Sequence, residues 1–223
     1  DFEKEGQRRY AVAACFYLAF LDLYPKLPEA LRAAEKLTLP PWGMLTGIRP
    51  AKLASRALEA GMSLEEVHTL FWDTYFVSQS RTELALDAAQ AGLAVKRSLK
   101  PDEISLYIGI PFCPTRCAYC SFVSADVQKA LKLVEPYLDG LCREMAASAE
   151  YLRQAGLYIR TIYIGGGTPT TLTAPQLERL LTQVETCFDL SRLTEYTVEA
   201  GRPDTITADK MAVLMAHHVD RVS

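Results

Sequence analysis

The 223-residue sequence lacks the features that mark nucleic-acid and membrane proteins. No more than two Lys or Arg residues follow one another, and the formal net charge is only -3, so no basic tract is available for a phosphate backbone. No apolar run reaches the ~18 residues of a membrane span. The longest candidate, AVAACFYLAFL at 11–21, falls short of it. We therefore expect no nucleic-acid partner and no membrane span.

The sequence also lacks a disulfide framework. Its six cysteines divide into one cluster within residues 113–120 and three isolated residues, Cys15, Cys142 and Cys187. In a chain of this length, such a distribution is typical of a protein that folds in a reducing compartment. We therefore expect a cytoplasmic protein. The three isolated cysteines lie in apolar helical stretches and are predicted to be buried, inert thiols.

The cysteine cluster lies in residues 105–121, SLYIGIPFCPTRCAYCS. A short apolar strand runs into a loop that carries Cys113, Cys117 and Cys120, at spacings of four and three. Three thiolates at these spacings can converge on one centre, but they are one ligand short of a structural zinc site. A catalytic metal or an iron–sulfur cluster, in contrast, keeps one position open. The pattern predicts a metal centre, with a zinc-bearing structural module as an alternative.

Two sequence patterns divide the chain near residue 100. Residues 1–100 have helical periodicity, interrupted by PPWGMLTGIRPAK at 40–52, and we predict an all-helical N-terminal region. Residues 101–223 alternate strands with helices; the predicted strands are SLYIGI, TIYIGG, EYTVEA and the start of VDRVS. This alternation predicts an α/β fold with a parallel sheet or barrel, of which three complete βα units and one fragment are present.

The unusual residues of the second region follow its predicted strands. The cysteine loop follows the first strand, GGGTPT at 165–170 follows the second, and EAGRPD at 199–204 follows the third. Because loops at the carboxyl ends of parallel strands converge, we expect these three loops to form one site. Glycines there allow backbone groups to approach a ligand closely.

The string YIGIPFCPTRCAYCSF resembles the cluster loop of radical S-adenosylmethionine (SAM) enzymes, within the oxygen-independent coproporphyrinogen III oxidase family. The segment PWGMLTGIRPAK resembles the one ahead of the barrel in the HemZ-type branch of that family. The resemblance implies a radical SAM (β/α) barrel, usually built of six βα units. Residues 101–223 would then be its N-terminal half, so we expect a truncated chain that is inactive by itself.

The resemblance also implies the cofactors and their ligands. Cys113, Cys117 and Cys120 would hold three irons of a [4Fe-4S] cluster, and the fourth iron would chelate the amino and carboxylate groups of SAM. In the family, the GGGTP segment meets the methionyl amino group and the aromatic before the last cysteine lies near the adenine. The residues implied to contact SAM are Tyr107, Tyr119, Gly165, Gly166, Gly167, Thr168 and Glu199.

The implied activity is an oxidoreductase of haem biosynthesis. A 5'-deoxyadenosyl radical removes hydrogen from a propionate of coproporphyrinogen III, and loss of CO2 and one electron leaves a vinyl group. The implied partners are a tetrapyrrole, either coproporphyrinogen III or a haem-like molecule, and a reductant protein such as flavodoxin or ferredoxin. The chain departs from the oxidase pattern at Gly109, where well-characterised oxidases carry histidine. Because some members of the family resemble haem chaperones, haem binding or delivery is the alternative function.

Overall fold

A computed structural model describes residues 2–30, 40–45, 49–115, 117–121 and 125–223. The chain separates into two compact units, Asp1–Leu99 and Lys100–Ser223. The first unit is helical and the second combines helices with a parallel sheet, in agreement with the predicted fold class. None of the helices within the described ranges is long and apolar enough to cross a membrane.

The described residues of the first unit form four α-helices, one 3-10 turn and one π-helical turn. Its elements are α1 (Phe2–Leu23), a 3-10 turn (Tyr24–Lys26), α2 (Pro50–Glu59), α3 (Leu64–Thr69), a π-helical turn (Leu70–Thr74) and α4 (Gln79–Ser98). Ser63, followed three residues later by Glu66, predicts a capping box at the start of α3, and this capping box is present. The Ser63 side chain accepts a hydrogen bond from the Glu66 N–H at 3.1 Å, and the Glu66 carboxylate accepts one from the Ser63 N–H at 2.7 Å.

The helical pattern of SLEEVHTLFWDTYF at 63–76 predicts one continuous helix, but the α-helix ends at Thr69. It widens into the π turn, which keeps Phe71 fully buried in the unit's core. The helical path stops before Phe76, whose φ of 55° is left-handed. The carbonyl of the preceding Tyr75 accepts a hydrogen bond from the Met44 N–H at 3.0 Å, a non-local contact that periodicity does not reveal.

The proline- and glycine-rich segment supplies the other side of that contact. The Gly43 N–H donates to the Pro40 carbonyl at 2.9 Å, which closes a tight turn. A Cβ atom at Gly43 would lie 2.1 Å from the Tyr75 carbonyl oxygen, so only glycine allows the two backbones to meet there. The described part of the segment therefore has a structural role; its residues 46–48 lie outside the described ranges.

The prediction of a buried thiol is wrong for Cys15, which is exposed on α1. This helix contacts the rest of its unit partly through Tyr17, whose ring stacks on that of Phe76 with centroids 5.2 Å apart. Residues two apart on a helix point about 200° away from each other, so Cys15 faces away from that contact. The neighbouring Phe16 is also 75% exposed. An apolar composition without a one-sided pattern did not indicate which face packs.

The other two isolated cysteines lie in the second unit. Cys142 and Cys187 are both half-buried and pack against its hydrophobic core. None of the six cysteines forms a disulfide. The structure thus agrees with free thiols throughout the chain, and with core contacts for these two.

The second unit contains a four-stranded parallel sheet in the order β1-β4-β5-β6. Its strands are β1 (Glu103–Ile110), β4 (Tyr158–Gly166), β5 (Glu195–Val198) and β6 (Arg221–Val222). The helices that connect them are α5 (Val127–Ala155), α6 (Ala174–Cys187) and α7 (Ala208–Ala216). A separate small sheet pairs β2 (Phe112–Cys113) with β3 (Ala125–Asp126). The sequence did not predict this second sheet, because two-residue strands show no periodicity.

The main sheet buries one face against the helices. Alternate residues such as Ile108, Ile162 and Ile164 are at most 2% exposed and pack with leucines of the helices. The opposite face carries Tyr107, which is 58% exposed, and Tyr163, which is 36% exposed. The near-continuous apolar character of the strands predicts that they are buried, and the structure confirms this for one face of the sheet but not for the face with the tyrosines. The face with the tyrosines leads directly to the loops at the carboxyl edge.

Candidate active site at the carboxyl edge of the sheet

The glycine segment is attached by its backbone to the strand that leads into the cysteine loop. The Gly167 N–H donates to the Ile110 carbonyl at 2.8 Å, and the Thr168 N–H donates to the Phe112 carbonyl at 2.8 Å. These bonds extend the pairing of β1 with β4 beyond the last residues of both strands. The first two of the predicted loops therefore do meet at one edge.

Cys113 lies at the centre of this junction. It is 8% exposed, and its sulfur lies 3.6 Å from the Thr168 hydroxyl, which is placed to donate to it. A Cβ atom at Gly167 would lie 2.6 Å from the Phe112 carbonyl oxygen and 3.0 Å from the Cys113 sulfur. Any residue other than glycine would therefore push the glycine segment away from the cysteine.

The third loop reaches the same edge through Glu199. Its backbone N–H donates to the Ile164 carbonyl at 2.9 Å, and its carboxylate Oε2 accepts from the Gly166 N–H at 3.1 Å. A Cβ atom at Gly165 would lie 2.9 Å from that same oxygen. The carboxylate thus rests directly on the glycine segment, as the convergence of strand ends predicts.

Two tyrosines line the exposed face of the sheet below this carboxylate. The rings of Tyr107 and Tyr163 are stacked, with centroids 5.9 Å apart and an interplanar angle of 12°. The Tyr163 hydroxyl donates to Glu199 Oε1 at 2.6 Å. This bond is the main reason why the pKa of the Tyr163 phenol is raised to about 12, with burial adding to it. Tyr163 was missed as a site residue, although its position two residues before Gly165 places both on one face of β4.

The second cysteine of the loop is contacted from the loop after β5. The Arg202 guanidinium donates from Nη2 to the Cys117 sulfur at 3.0 Å. The same group also donates to the backbone carbonyl and the hydroxyl of Thr115, at 2.8 and 2.9 Å. Arg202 was not predicted as a site residue, because an arginine in a polar loop carries no motif of its own.

Cys120 and Tyr119 lie in a turn on the outer side of the loop. The Cys120 N–H donates to the Cys117 carbonyl at 3.1 Å, and the Cys120 side chain is half-buried. Tyr119 is 90% exposed, and a hydrogen bond with Cys117 is the main cause of its raised pKa. The Tyr119 ring therefore lies largely open to solvent, and its contact with adenine stays a prediction.

Among the described residues, no group of three or more His, Cys, Asp or Glu side chains lies close enough to hold a metal ion. The structure thus brings Cys113 and Cys117 into defined environments without gathering all three thiols. Uncoordinated thiols have no shared partner to draw them together, so their joint ligation stays a prediction.

The environments of two of these sulfurs fit an iron–sulfur cluster. Thr168 and Arg202 place donors on the sulfurs of Cys113 and Cys117, which is how proteins stabilise cluster thiolates. The side-chain-free Gly167 lies directly beside Cys113. A soft thiolate donor set with hydrogen-bond donors on the sulfurs also distinguishes this loop from the hard oxygen sites of Mg²⁺ or Ca²⁺.

A buried polar network joins the loops after β4 and β5. The hydroxyls of Thr170 and Thr205 lie 2.6 Å apart, and both residues are buried. Lys210 of α7 donates to the carbonyl of each residue, at 2.7 and 3.0 Å. This network fixes the spacing between the glycine segment and the loop that carries Glu199 and Arg202.

No protein-family model matches the chain. It is 43% identical over 185 residues to the oxygen-independent coproporphyrinogen-III oxidase-like protein HemZ of Bacillus subtilis, covering 82% of this chain and 37% of HemZ. It is 42% identical over 119 residues to the heme chaperone HemW of Lactococcus lactis, covering 53% of this chain and 29% of HemW. The chain is also similar to the solved structure of Escherichia coli HemN, a coproporphyrinogen III oxidase described as a radical SAM enzyme. This match covers 60% of this chain and 30% of HemN, with 29% sequence identity and a TM-score of 0.48.

The two sequence matches differ in extent. The HemZ match is longer than the second unit, so it also includes residues of the helical unit, whereas the HemW match is short enough to fit within the second unit. The chain spans only 37% of HemZ and 29% of HemW. On the strength of these relatives and of the motifs that meet at the carboxyl edge, the chain belongs to the radical SAM family of oxygen-independent coproporphyrinogen III oxidase-like proteins, in its HemZ-type branch.

Proposed function

We propose that the protein is a radical SAM oxidoreductase of haem biosynthesis, with a [4Fe-4S] cluster on Cys113, Cys117 and Cys120. The observation that carries this proposal is the direct packing of the glycine segment on the first of these cysteines. Gly167 lies so close to Cys113 that a methyl group there would sit 3.0 Å from its sulfur. A ligand bound to the glycine backbone would therefore lie beside a ligand bound to the cysteines.

The bound cluster and SAM would supply a 5'-deoxyadenosyl radical by one-electron cleavage of the sulfonium. The chain's own residues would bind and orient SAM. The backbone of Gly165, Gly166 and Gly167, with Thr168, would meet its methionyl end. Glu199 offers a carboxylate that Tyr163 and Gly166 already hold in place. The exposed rings of Tyr107 and Tyr119 would provide apolar contacts to the rest of the molecule.

For the substrate, we propose a tetrapyrrole whose propionate side chains are oxidatively decarboxylated to vinyl groups. The proposal is supported by the relationship to HemZ, which is named an oxygen-independent coproporphyrinogen-III oxidase-like protein. A reductant protein such as flavodoxin or ferredoxin would deliver the electron. The free state of all six cysteines is compatible with work in a reducing cytoplasm.

Haem binding or delivery is the second candidate function. It is favoured by the relationship to HemW, which is named a heme chaperone and is 42% identical over the matched residues. The residues near the cluster loop do not separate the two functions, since both would use the same fold. An assay of substrate turnover is therefore needed to distinguish the two functions.

The test is an anaerobic assay of the full-length protein with coproporphyrinogen III, SAM and a chemical reductant. Vinyl product, CO2 and 5'-deoxyadenosine should accumulate together, and Cys113→Ala should abolish all three. Cys187→Ala is the matched control, because this half-buried cysteine contacts Gln183 at the end of α6 and should leave turnover intact. Tight stoichiometric haem binding without decarboxylation would favour haem binding or delivery instead. An iron-free protein that holds one zinc would refute both.

A further inference from the structure

Arg202, which lies outside the cysteine loop, donates side-chain hydrogen bonds to Thr115 and Cys117 within that loop. Its guanidinium bridges three acceptors at 2.8 to 3.0 Å: the Thr115 carbonyl, the Thr115 hydroxyl and the Cys117 sulfur. A planar guanidinium can donate to several acceptors at once in a fixed geometry. A lysine ammonium, on its flexible stem, would hold the same acceptors less rigidly. The loop after β5 therefore contacts the cysteine loop through Arg202.

The backbone of Arg202 is fixed by hydrogen bonds from Thr205. Its carbonyl accepts hydrogen bonds from the Thr205 hydroxyl at 2.7 Å and from the Thr205 N–H at 3.0 Å. The Thr205 hydroxyl in turn lies 2.6 Å from that of Thr170, in the loop that follows the glycine segment. A continuous set of contacts thus runs from the glycine loop through Arg202 to Cys117.

The positive charge of Arg202 lies beside the Cys117 sulfur. Among the ion pairs of the described residues, none includes Arg202. Arg192, which lies just before β5, does form an ion pair: its guanidinium pairs with Asp102 at 2.8 Å and lies over the Tyr158 ring. The positive charge of the Arg202 guanidinium therefore acts on the groups that it contacts, which are Thr115 and the Cys117 sulfur at 3.0 Å.

We infer that Arg202 is a positioning residue that fixes the cysteine loop and keeps a cationic N–H donor on the sulfur of Cys117. The inference rests on the proposed function, in which Cys117 is a cluster ligand. A hydrogen bond and a positive charge beside a ligating thiolate favour the reduced cluster, which carries one more negative charge. Arg202 therefore raises the cluster's reduction potential, which makes reduction of the cluster by its electron donor easier.

The test compares Arg202→Met and Arg202→Lys with the wild type and with Arg192→Met as the matched control. In the cluster-free protein, hydrogen exchange of residues 113–121 should accelerate in both Arg202 variants and stay unchanged in the control. In the reconstituted protein, an EPR-monitored redox titration should give a midpoint potential that is more negative in Arg202→Met. Arg202→Lys, which keeps the charge, should lie between that value and the wild type.

A wild-type midpoint potential in Arg202→Met would overturn the inference, whatever the exchange rates show. Should the wild type take up no cluster at all, the proposed function fails instead. The exchange experiment then decides alone, and unchanged protection of residues 113–121 in Arg202→Met overturns the inference. Folding of each variant is checked by its helical circular dichroism, and Arg202→Lys provides the comparison if Arg202→Met does not fold.

Discussion

The Tyr163 hydroxyl donates a 2.6 Å hydrogen bond to Oε1 of Glu199, while Oε2 of the same carboxylate accepts from the Gly166 N–H at 3.1 Å. Both oxygens of Glu199 therefore have a fixed direction at the carboxyl edge of the sheet. Because the bond raises the pKa of Tyr163 to about 12, the phenol stays protonated and remains a donor at neutral pH. The strand below the site thus orients the carboxylate above it.

Replacing Tyr163 with phenylalanine should weaken SAM binding about tenfold. A hydrogen bond to a charged group contributes about 1.5–3 kcal/mol, and the partial exposure of the pair reduces this toward the lower end. Isothermal titration of reconstituted protein with SAM measures the effect. Tyr158→Phe, on the same strand but at its opposite end, is the control and should bind normally. Equal affinities for the two variants would show that Tyr163 does not position Glu199 for SAM.

Gly167→Ala should damage both the fold and the site. Its Cβ would lie 2.6 Å from the Phe112 carbonyl oxygen, and backbone cannot move aside as easily as a flexible side chain. We expect the free energy of unfolding in urea to fall by about 1–3 kcal/mol, and iron uptake to fall with it. The control is Gly201→Ala, because nothing lies within 4 Å of a Cβ there. Normal iron uptake by Gly167→Ala would contradict the close approach of Gly167 to Phe112 and Cys113.

The sequence predicted the elements whose patterns are local. The three βα units, the capping box at Ser63 and the meeting of the three loops all follow from periodicity, cap residues and the rule for strand ends. The contact of Glu199 with the glycine segment belongs to this group, because the loop order alone brings them to one edge. The assignment of these residues to SAM and the cluster came from resemblance, and no contact in the structure tests it.

The features that were missed depend on contacts between distant residues. The Arg202–Cys117 contact joins residues 85 positions apart, and the Tyr163–Glu199 bond joins residues 36 apart. The turn at Gly43 meets the distant backbone of Tyr75, and the exposure of Cys15 depends on which face of α1 packs. None of these leaves a periodic trace in the sequence, so pattern analysis cannot find them.

The stability of the second unit should depend on pH through His217. Burial lowers its pKa, but hydrogen bonds with Glu185 and Glu178 outweigh this, and the net pKa is raised above the ordinary 6.5. The folded state therefore binds the proton more tightly than the unfolded chain. The stabilisation is fully present below about pH 6.5 and is lost as the pH rises through the folded pKa.

Urea denaturation of the wild type and His217→Gln at several pH values measures this contribution. The difference in unfolding free energy should shrink as the pH rises from about 6 to 9. The double variant Glu178→Gln/Glu185→Gln should remove the dependence, since both acceptors on α6 lose their charge. If the difference in unfolding free energy between the wild type and His217→Gln stays constant or grows with pH, His217 is neutral in the folded protein.

The central claim, that the cysteine loop and the glycine segment together form a SAM-binding cluster site, is tested most directly by EPR. The full-length protein is reconstituted anaerobically with iron and sulfide, reduced with dithionite, and measured with and without SAM. The account predicts a reduced [4Fe-4S] signal that shifts when SAM is added and is absent in Cys113→Ala. A protein that takes up no cluster, or a cluster whose signal is indifferent to SAM, would contradict it.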